Sequence, residues 1–190
     1  MNIMQKNRSK QLITIQMSKD PIIPRKWQLK AHGTRNVFIW GRQERSTHTL
    51  MKAFLWALYL PQYPQMSVEI RIGDHYKPDV VAMPQTPNIY STSNAPLFWG
   101  ESGQVGRDKI HDLVRRYPAT HFAIAKWDSD LRPYVQLVED ALAGVEREAP
   151  FDLLAFPADS VERFIDKRGN ITLNHTNLDW VRLQESETTQ

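Results

Sequence analysis

Lys77-Pro78-Asp79-Val80-Val81 and Leu97-Phe98-Trp99-Gly100-Glu101 are the two stretches on which the fold and the chemistry of this chain turn. Each is a short apolar run beside Pro or Gly, the pattern of a buried strand, and each carries one carboxylate. Met66 to Ile72 precedes them and alternates, with Val68, Ile70 and Ile72 on one face and Glu69 and Arg71 on the other. Gly73-Asp74 is a turn signal, so Met66–Ile72 and Lys77–Met83 are expected to form a hairpin, with Leu97–Glu101 as a third strand.

Working outward, Glu44 to Leu60 reads as a helix. Leu50, Met51, Phe54, Leu55 and Leu58 fall at i, i+3, i+4 spacings, and Pro61 stops it. Its second half is apolar on nearly every side, which places it inside the domain. Downstream, Gly106–Tyr117 is a helix with Ile110, Leu113, Val114 and Tyr117 on one face. His121–Trp127 is a strand, Arg132–Glu148 a helix, Phe151–Phe156 a strand, Asp159–Lys167 a short helix and Asn170–His175 a last strand. Upstream, Gln11–Met17 and Asn36–Trp40 read as strands, separated by a loop over Asp20–Lys30 that holds Pro21 and Pro24. Pro84 to Pro96 is a polar loop. The order helix, three strands, helix, strand predicts an α/β fold: a mixed central sheet flanked by helices on both faces.

The 190 residues are about one domain's worth, with a core over about 36–127 and ends at 1–10 and 183–190 expected to be flexible. The longest apolar run, Ala53 to Leu60, is far short of the roughly 20 residues that span a bilayer. No apolar stretch follows the charged start MNIMQKNRSK, so no secretory signal is expected and the cytoplasm is the expected compartment. There is no cysteine, which excludes disulfides, a thiolate nucleophile and cysteine-bound zinc. The net charge is only +3, yet residues 1–52 hold eleven Lys and Arg against Asp20 and Glu44. A basic third of this kind is compatible with nucleic acid, but by itself fits a solvated face with a loose tail better.

Asp79 and Glu101 are the residues that could carry chemistry. A carboxylate in an apolar strand costs on the order of several kcal/mol unless it is paired or holds a metal. Acids on paired strands come within about 5 Å at opposed positions, and a hard divalent cation relieves their repulsion. The cation expected is Mg²⁺ or Mn²⁺, which can polarise a phosphoryl oxygen and activate a bound water. The same spacing also fits an Asp79 that faces solvent and a Glu101 that caps a turn. Glu44 and His48, four apart, could both face a metal; Glu44 fits a simple acid at the helix start equally well.

Four pieces of the chain carry a resemblance: Glu44-Arg45-Ser46-Thr47-His48 with Leu50 to Trp56; Lys77-Pro78-Asp79; Phe98-Trp99-Gly100-Glu101-Ser102-Gly103-Gln104; and Lys109-Ile110. In these pieces, between Glu44 and Trp127, the sequence resembles the PD-(D/E)xK nuclease-like fold. More narrowly, it is similar to the YaeQ family of small bacterial proteins that have that fold. The resemblance implies a restriction-endonuclease-like αβββαβ core, metal-binding acids at Glu44, Asp79 and Glu101, and a metal-dependent phosphodiesterase or nuclease acting on nucleic acid.

The nuclease signature places a lysine two residues after the second acid. Here that residue is Gly103. Gln104 is adjacent, on the other face of a regular strand unless a bulge at Ser102-Gly103 turns it back. Lys77, two before Asp79 and on its face, has the best geometry to orient water, and Lys109 and Lys126 are further candidates. The catalytic set expected is therefore Glu44, Asp79, Glu101, Gln104 and Lys77. Losing a contact to the transition-state charge costs about 10²–10³ in rate. An inactive nucleic-acid- or protein-binding module on the same fold is accordingly the alternative.

Overall fold

Phe98–Ser102, His121–Trp127 and Phe151–Phe156 lie side by side as parallel strands at the centre of a six-stranded sheet, in a computed structural model that describes residues 20–85 and 94–183. In chain order the elements are β1 (Lys26–Ala31), β2 (Thr34–Ile39), α1 (Ser46–Tyr59), β3 (Met66–Val68), β4 (Val80–Ala82), β5 (Phe98–Ser102), α2 (Arg107–Arg116), β6 (His121–Trp127), α3 (Arg132–Leu142), β7 (Phe151–Phe156), α4 (Ser160–Phe164) and β8 (Asp179–Leu183), with a 3₁₀ turn at His175–Asn177. The sheet order is β3-β4-β5-β6-β7-β8; β3, β4 and β5 pair antiparallel, as do β7 and β8. The mixed sheet expected from the helix–strand alternation is present.

Side chains of the central strands alternate between two cores, as period-2 geometry requires. Phe98, Ala123, Ala125, Leu154 and Phe156 pack beneath α1 and the β1–β2 hairpin. Trp99, Phe122, Ile124, Phe151, Leu153 and Ala155 pack beneath α2 and α3. Nearly every residue of α1 is buried, matching its all-round apolar character. Full burial of a Leu or Phe there is worth about 1.5–3 kcal/mol each. Gly100 lets α1 approach β5: a Cβ at that position would lie 3.3 Å from Leu55 Cδ1, 3.3 Å from Val80 Cβ and 3.0 Å from the Phe98 ring.

Several expectations are corrected. The loop expected to Lys30 ends at Arg25, where β1 begins and pairs with β2 across His32-Gly33. Both turn residues have positive φ, as a type I′ hairpin requires. The strand expected over Met66–Ile72 stops at Val68, because Glu69 takes a left-handed φ of 57° and turns the chain out of the ladder. The hairpin with β4 exists, closed by the longer bend that holds Gly73. The helix expected to Glu148 ends at Leu142, before Gly144 in the left-handed region. The short helix is Ser160–Phe164, and Asn170–His175 contributes only bridges at Asn170 and Ile171. The C-terminal part extends the same sheet through β7 and β8. The expected strand at Gln11–Met17, the end at 1–10, most of the loop at 84–96 and the tail from 184 onward lie outside the described residues. Among the described residues no helix is long and apolar enough to cross a membrane.

Candidate functional site

Asp79 stands one residue before β4 and continues its ladder, with its N–H donating to Gly100 O (3.1 Å) and its carbonyl accepting from Glu69 N (2.9 Å). Its Oδ2 accepts from the Ser102 N–H at 2.7 Å and meets His48 Nε2 at 3.1 Å. Burial alone would raise the Asp79 pKa. The bond to His48, the Lys52 charge and the Ser102 N–H outweigh it and hold the carboxyl below its ordinary value.

His48 and Lys52 are one helical step apart on α1 and share a face. His48 Nδ1 lies 3.5 Å from Glu44 Oε1, so the imidazole stands between Glu44 and Asp79. Lys52 is 3% exposed and its ammonium is clasped between Glu44 and Glu69. Burial opposes that charge, but the two carboxylates overcome it and the Lys52 pKa is raised. Glu44 sits before the helix; Arg45 is the N-cap position, and Glu44 Oε2 accepts from Gly41 N at 3.2 Å. Both Glu44 oxygens are thereby engaged by the protein, which makes it the anchor of Lys52.

Glu101 lies on the face of β5 that carries Trp99 and stands across the β4–β5 register from Asp79. Its Oε1 accepts from Trp99 Nε1 (2.7 Å) and pairs with Lys109 Nζ on α2 (2.7 Å). Burial pushes the Glu101 carboxyl up, Lys109 and Trp99 oppose the rise, and the Asp79 charge adds to it. Among the described residues no hydrogen bond or ion pair reaches Asp79 Oδ1 or Glu101 Oε2. One oxygen of each acid thus takes no hydrogen bond from the described residues. Ser102 Oγ, beside the Asp79 contact, is buried with no hydrogen-bond partner among the described residues.

Asp79, Glu44, His48 and Glu101 therefore belong to one region. Lys77 and Gln104 are exposed, and among the described residues no hydrogen bond or ion pair holds either side chain. Gly103 has a φ of 80°, which ends the regular strand after Ser102. Among the described residues no group of three Asp, Glu or His side chains is close enough to hold one metal ion. Lys52 and Glu69 are additions that the sequence reading missed. A lysine inside the apolar run Leu50 to Leu60 was a usable signal for the first; Glu69 looked like the polar face of a strand that does not continue. Lys126, at the end of β6, is 4% exposed, donates from Nζ to Gly103 O (2.5 Å) and lies 3.8 Å from the centre of the Tyr134 ring. Burial pushes its pKa down to about 8.

No family model matches the chain, and no curated protein is significantly similar to it. Among solved structures it is similar in fold to the YaeQ protein from Pseudomonas syringae, with a TM-score of 0.50, 17% identity and 75% of each chain covered. The YaeQ protein from Xanthomonas axonopodis pv. citri matches with a TM-score of 0.49 and 11% identity over 79% of this chain and 82% of the other. At these identities the likeness to the first is one of fold.

Proposed function

We propose that the chain is a YaeQ-like protein with a PD-(D/E)xK nuclease-like core, and that Asp79 and Glu101 form the centre of a metal-dependent phosphodiesterase acting on nucleic acid in the cytoplasm. One observation carries this reading: two acids opposed across paired strands, one residue beyond the Val80–Gly100 pair, each with one oxygen that takes no hydrogen bond among the described residues. That donor set suits Mg²⁺ or Mn²⁺, which take one or two carboxylates and keep several waters. Asp79 Oδ1 and Glu101 Oε2 would hold the ion, with Glu44 acting through Lys52 and His48. When bound, the ion supplies Lewis acidity and a water of lowered pKa.

The chain's own residues prepare that site. His48 and the Ser102 N–H fix the Asp79 carboxylate and keep it ionised. Glu44 and Glu69 hold Lys52 charged in a buried place, and Lys52 in turn favours the Asp79 anion. Trp99 and Lys109 fix one oxygen of Glu101, so the other has a defined direction. The basic residues of 1–52 suit a phosphate backbone as partner.

Isothermal titration of Mg²⁺ and Mn²⁺ into the wild type and the Asp79→Ala/Glu101→Ala double variant tests this. Binding by the wild type that vanishes in the variant is expected, followed by metal-dependent cleavage of DNA or RNA. No binding at millimolar metal sinks the enzyme. A second reading, a binding module without turnover, is favoured by Gly103, which brings no side chain to the position after Glu101 where the signature has lysine. It predicts retention of an oligonucleotide without cleavage.

A further inference from the structure

The β1–β2 hairpin turns one face into the core and the other to solvent. Leu29, Ala31 and Phe38 are buried with α1. The residues between them point outward by the period of two, paired as Lys26 with Ile39, Gln28 with Val37 and Lys30 with Arg35. Val37 is 41% exposed and Ile39 61%. No carboxylate stands on this face, and among the described residues none of its three cations makes an ion pair.

An ordinary solvated ribbon pairs unlike charges across its strands. This one opposes Lys30 to Arg35, an arrangement that costs the hairpin stability and that an anion between them relieves. Its flank carries the same sign. The Lys30 N–H donates to Gly169 O at 2.8 Å, which sets the turn holding exposed Lys167 and Arg168 along β1. The acid of that turn, Asp166, accepts from the backbone N–H groups of Arg168 and Asn170.

We propose that this face docks in the major groove of duplex DNA. The inference rests on the reading above for the class of partner, nucleic acid, and adds its form and the surface that holds it. The major groove of B-form DNA is about 12 Å wide and admits a two-stranded ribbon, whose strands lie about 5 Å apart. The outward side chains are of the kinds that its base edges accept. Lysine and arginine donate to guanine, a glutamine amide pairs with adenine, and an aliphatic side chain meets the thymine methyl. Lys167 and Arg168 supply charge for the phosphates beside the groove. A-form RNA offers no such entry, because its major groove is deep and narrow. An anionic membrane calls for a broad apolar face, and here Gln28 occupies the centre. β2 runs through Gly41 into the segment that places Glu44 and His48, and Trp40 Nε1 donates to Glu44 O. A duplex held on the ribbon is thereby anchored to the segment that leads into the acid site.

Fluorescence anisotropy of the full chain, without metal, against one mixed sequence as duplex DNA and as duplex RNA tests this. DNA is expected to bind at least about tenfold more tightly. Guanine N7, which lies in the major groove, should be protected from dimethyl sulfate. Lys30→Gln/Arg35→Gln is expected to weaken binding by about tenfold or more and to remove that protection. It should melt at or above the wild-type temperature, because opposed like charges are gone. Lys30→Arg/Arg35→Lys should keep the binding. Lys167→Gln/Arg168→Gln is expected to lower the slope of log affinity against log salt by about 2. Unchanged affinity and footprint in Lys30→Gln/Arg35→Gln overturn this inference alone and leave the phosphodiesterase standing. Equal affinity for duplex RNA without protection of N7 overturns the groove. Retention on phosphatidylserine vesicles with none on DNA makes the face a membrane surface and overturns the proposal. Docking on the ribbon by a protein that never cleaves with Mg²⁺ or Mn²⁺ upholds it and sinks the phosphodiesterase. A wild type that binds no nucleic acid overturns both.

Discussion

The two ends of the parallel strands hold two buried acids in opposite circumstances. At the N-terminal end of β7, Asp152 is fully buried and saturated: it accepts from Tyr59 Oη at 2.6 Å, meets His121 Nε2 at 2.8 Å, and takes Arg182 Nε and Nη2 at 2.8 and 2.9 Å. Burial would push its carboxyl up, but Arg182, His121 and Tyr59 hold it well below the usual carboxylate range. At the C-terminal end of β5, Glu101 keeps one oxygen without a partner among the described residues, and its carboxyl is pushed up. Both acids interrupt apolar strands. The first has what a buried charge needs to stabilise a fold; the second has less, and a site that binds is where such a deficit is tolerated.

The comparison breaks most easily at Asp152. Asp152→Ala leaves Arg182 and His121 without their acceptor, and a loss of about 3 kcal/mol is expected by urea denaturation at pH 7. Because the Asp152 carboxyl is lowered in the fold, its contribution is full above the unfolded carboxylate value of about 4 and fades as pH falls below it. The gap between wild type and variant should therefore close in acid. A gap that persists unchanged at low pH would mean the loss comes from packing and not from charge. Tyr59→Phe removes one donor and keeps the ring against Phe98, so a smaller loss of about 1.5 kcal/mol is expected. Equal losses in the two variants would mean that Tyr59, and not the ion pair, carries the network.

Much of this was legible in the sequence, and the omissions have physical causes. His121–Trp127 and Phe151–Phe156 are short, mostly apolar runs, and they are strands over those residues. The α1 periodicity ends at a proline, so its limits were readable to within two residues. β1 was hidden by the prolines just before it, and β8 by its exposed edge position, which leaves Asp179–Leu183 looking like a polar tail. Of the site, Asp79 and Glu101 stood out as acids in apolar strands. Asp152, in Phe151-Asp152-Leu153-Leu154, gives that same signal and belongs to the opposite end of the sheet. Composition tells that an acid is buried; only its partners tell whether the burial is settled. Those partners, Tyr59, His121 and Arg182, come from three elements far apart in sequence.

The smallest expected effect has the opposite sign. Glu101→Gln keeps an oxygen for Trp99 Nε1, removes the buried charge, and frees Lys109, which is part-exposed and can return to water. A gain of about 1 kcal/mol at pH 7 is expected, the size typical of substitutions that relieve a functional site. The sign follows from linkage. The Glu101 carboxyl titrates higher folded than unfolded, so its protonated form favours the fold below the ordinary value of 4.5, and that advantage is lost as pH rises through the folded value. Wild type and variant should coincide near pH 4 and separate above it, the variant being the more stable. Asp152→Ala separates from wild type in the other direction as pH rises. Added Mg²⁺ should then raise the wild-type melting temperature and leave the Gln variant where it was, since the ion answers the charge that the amide lacks. A Glu101→Gln protein that is destabilised at every pH would make Glu101 a second Asp152, an acid whose partners suffice. The deficit that singles out this end of the sheet would then be gone.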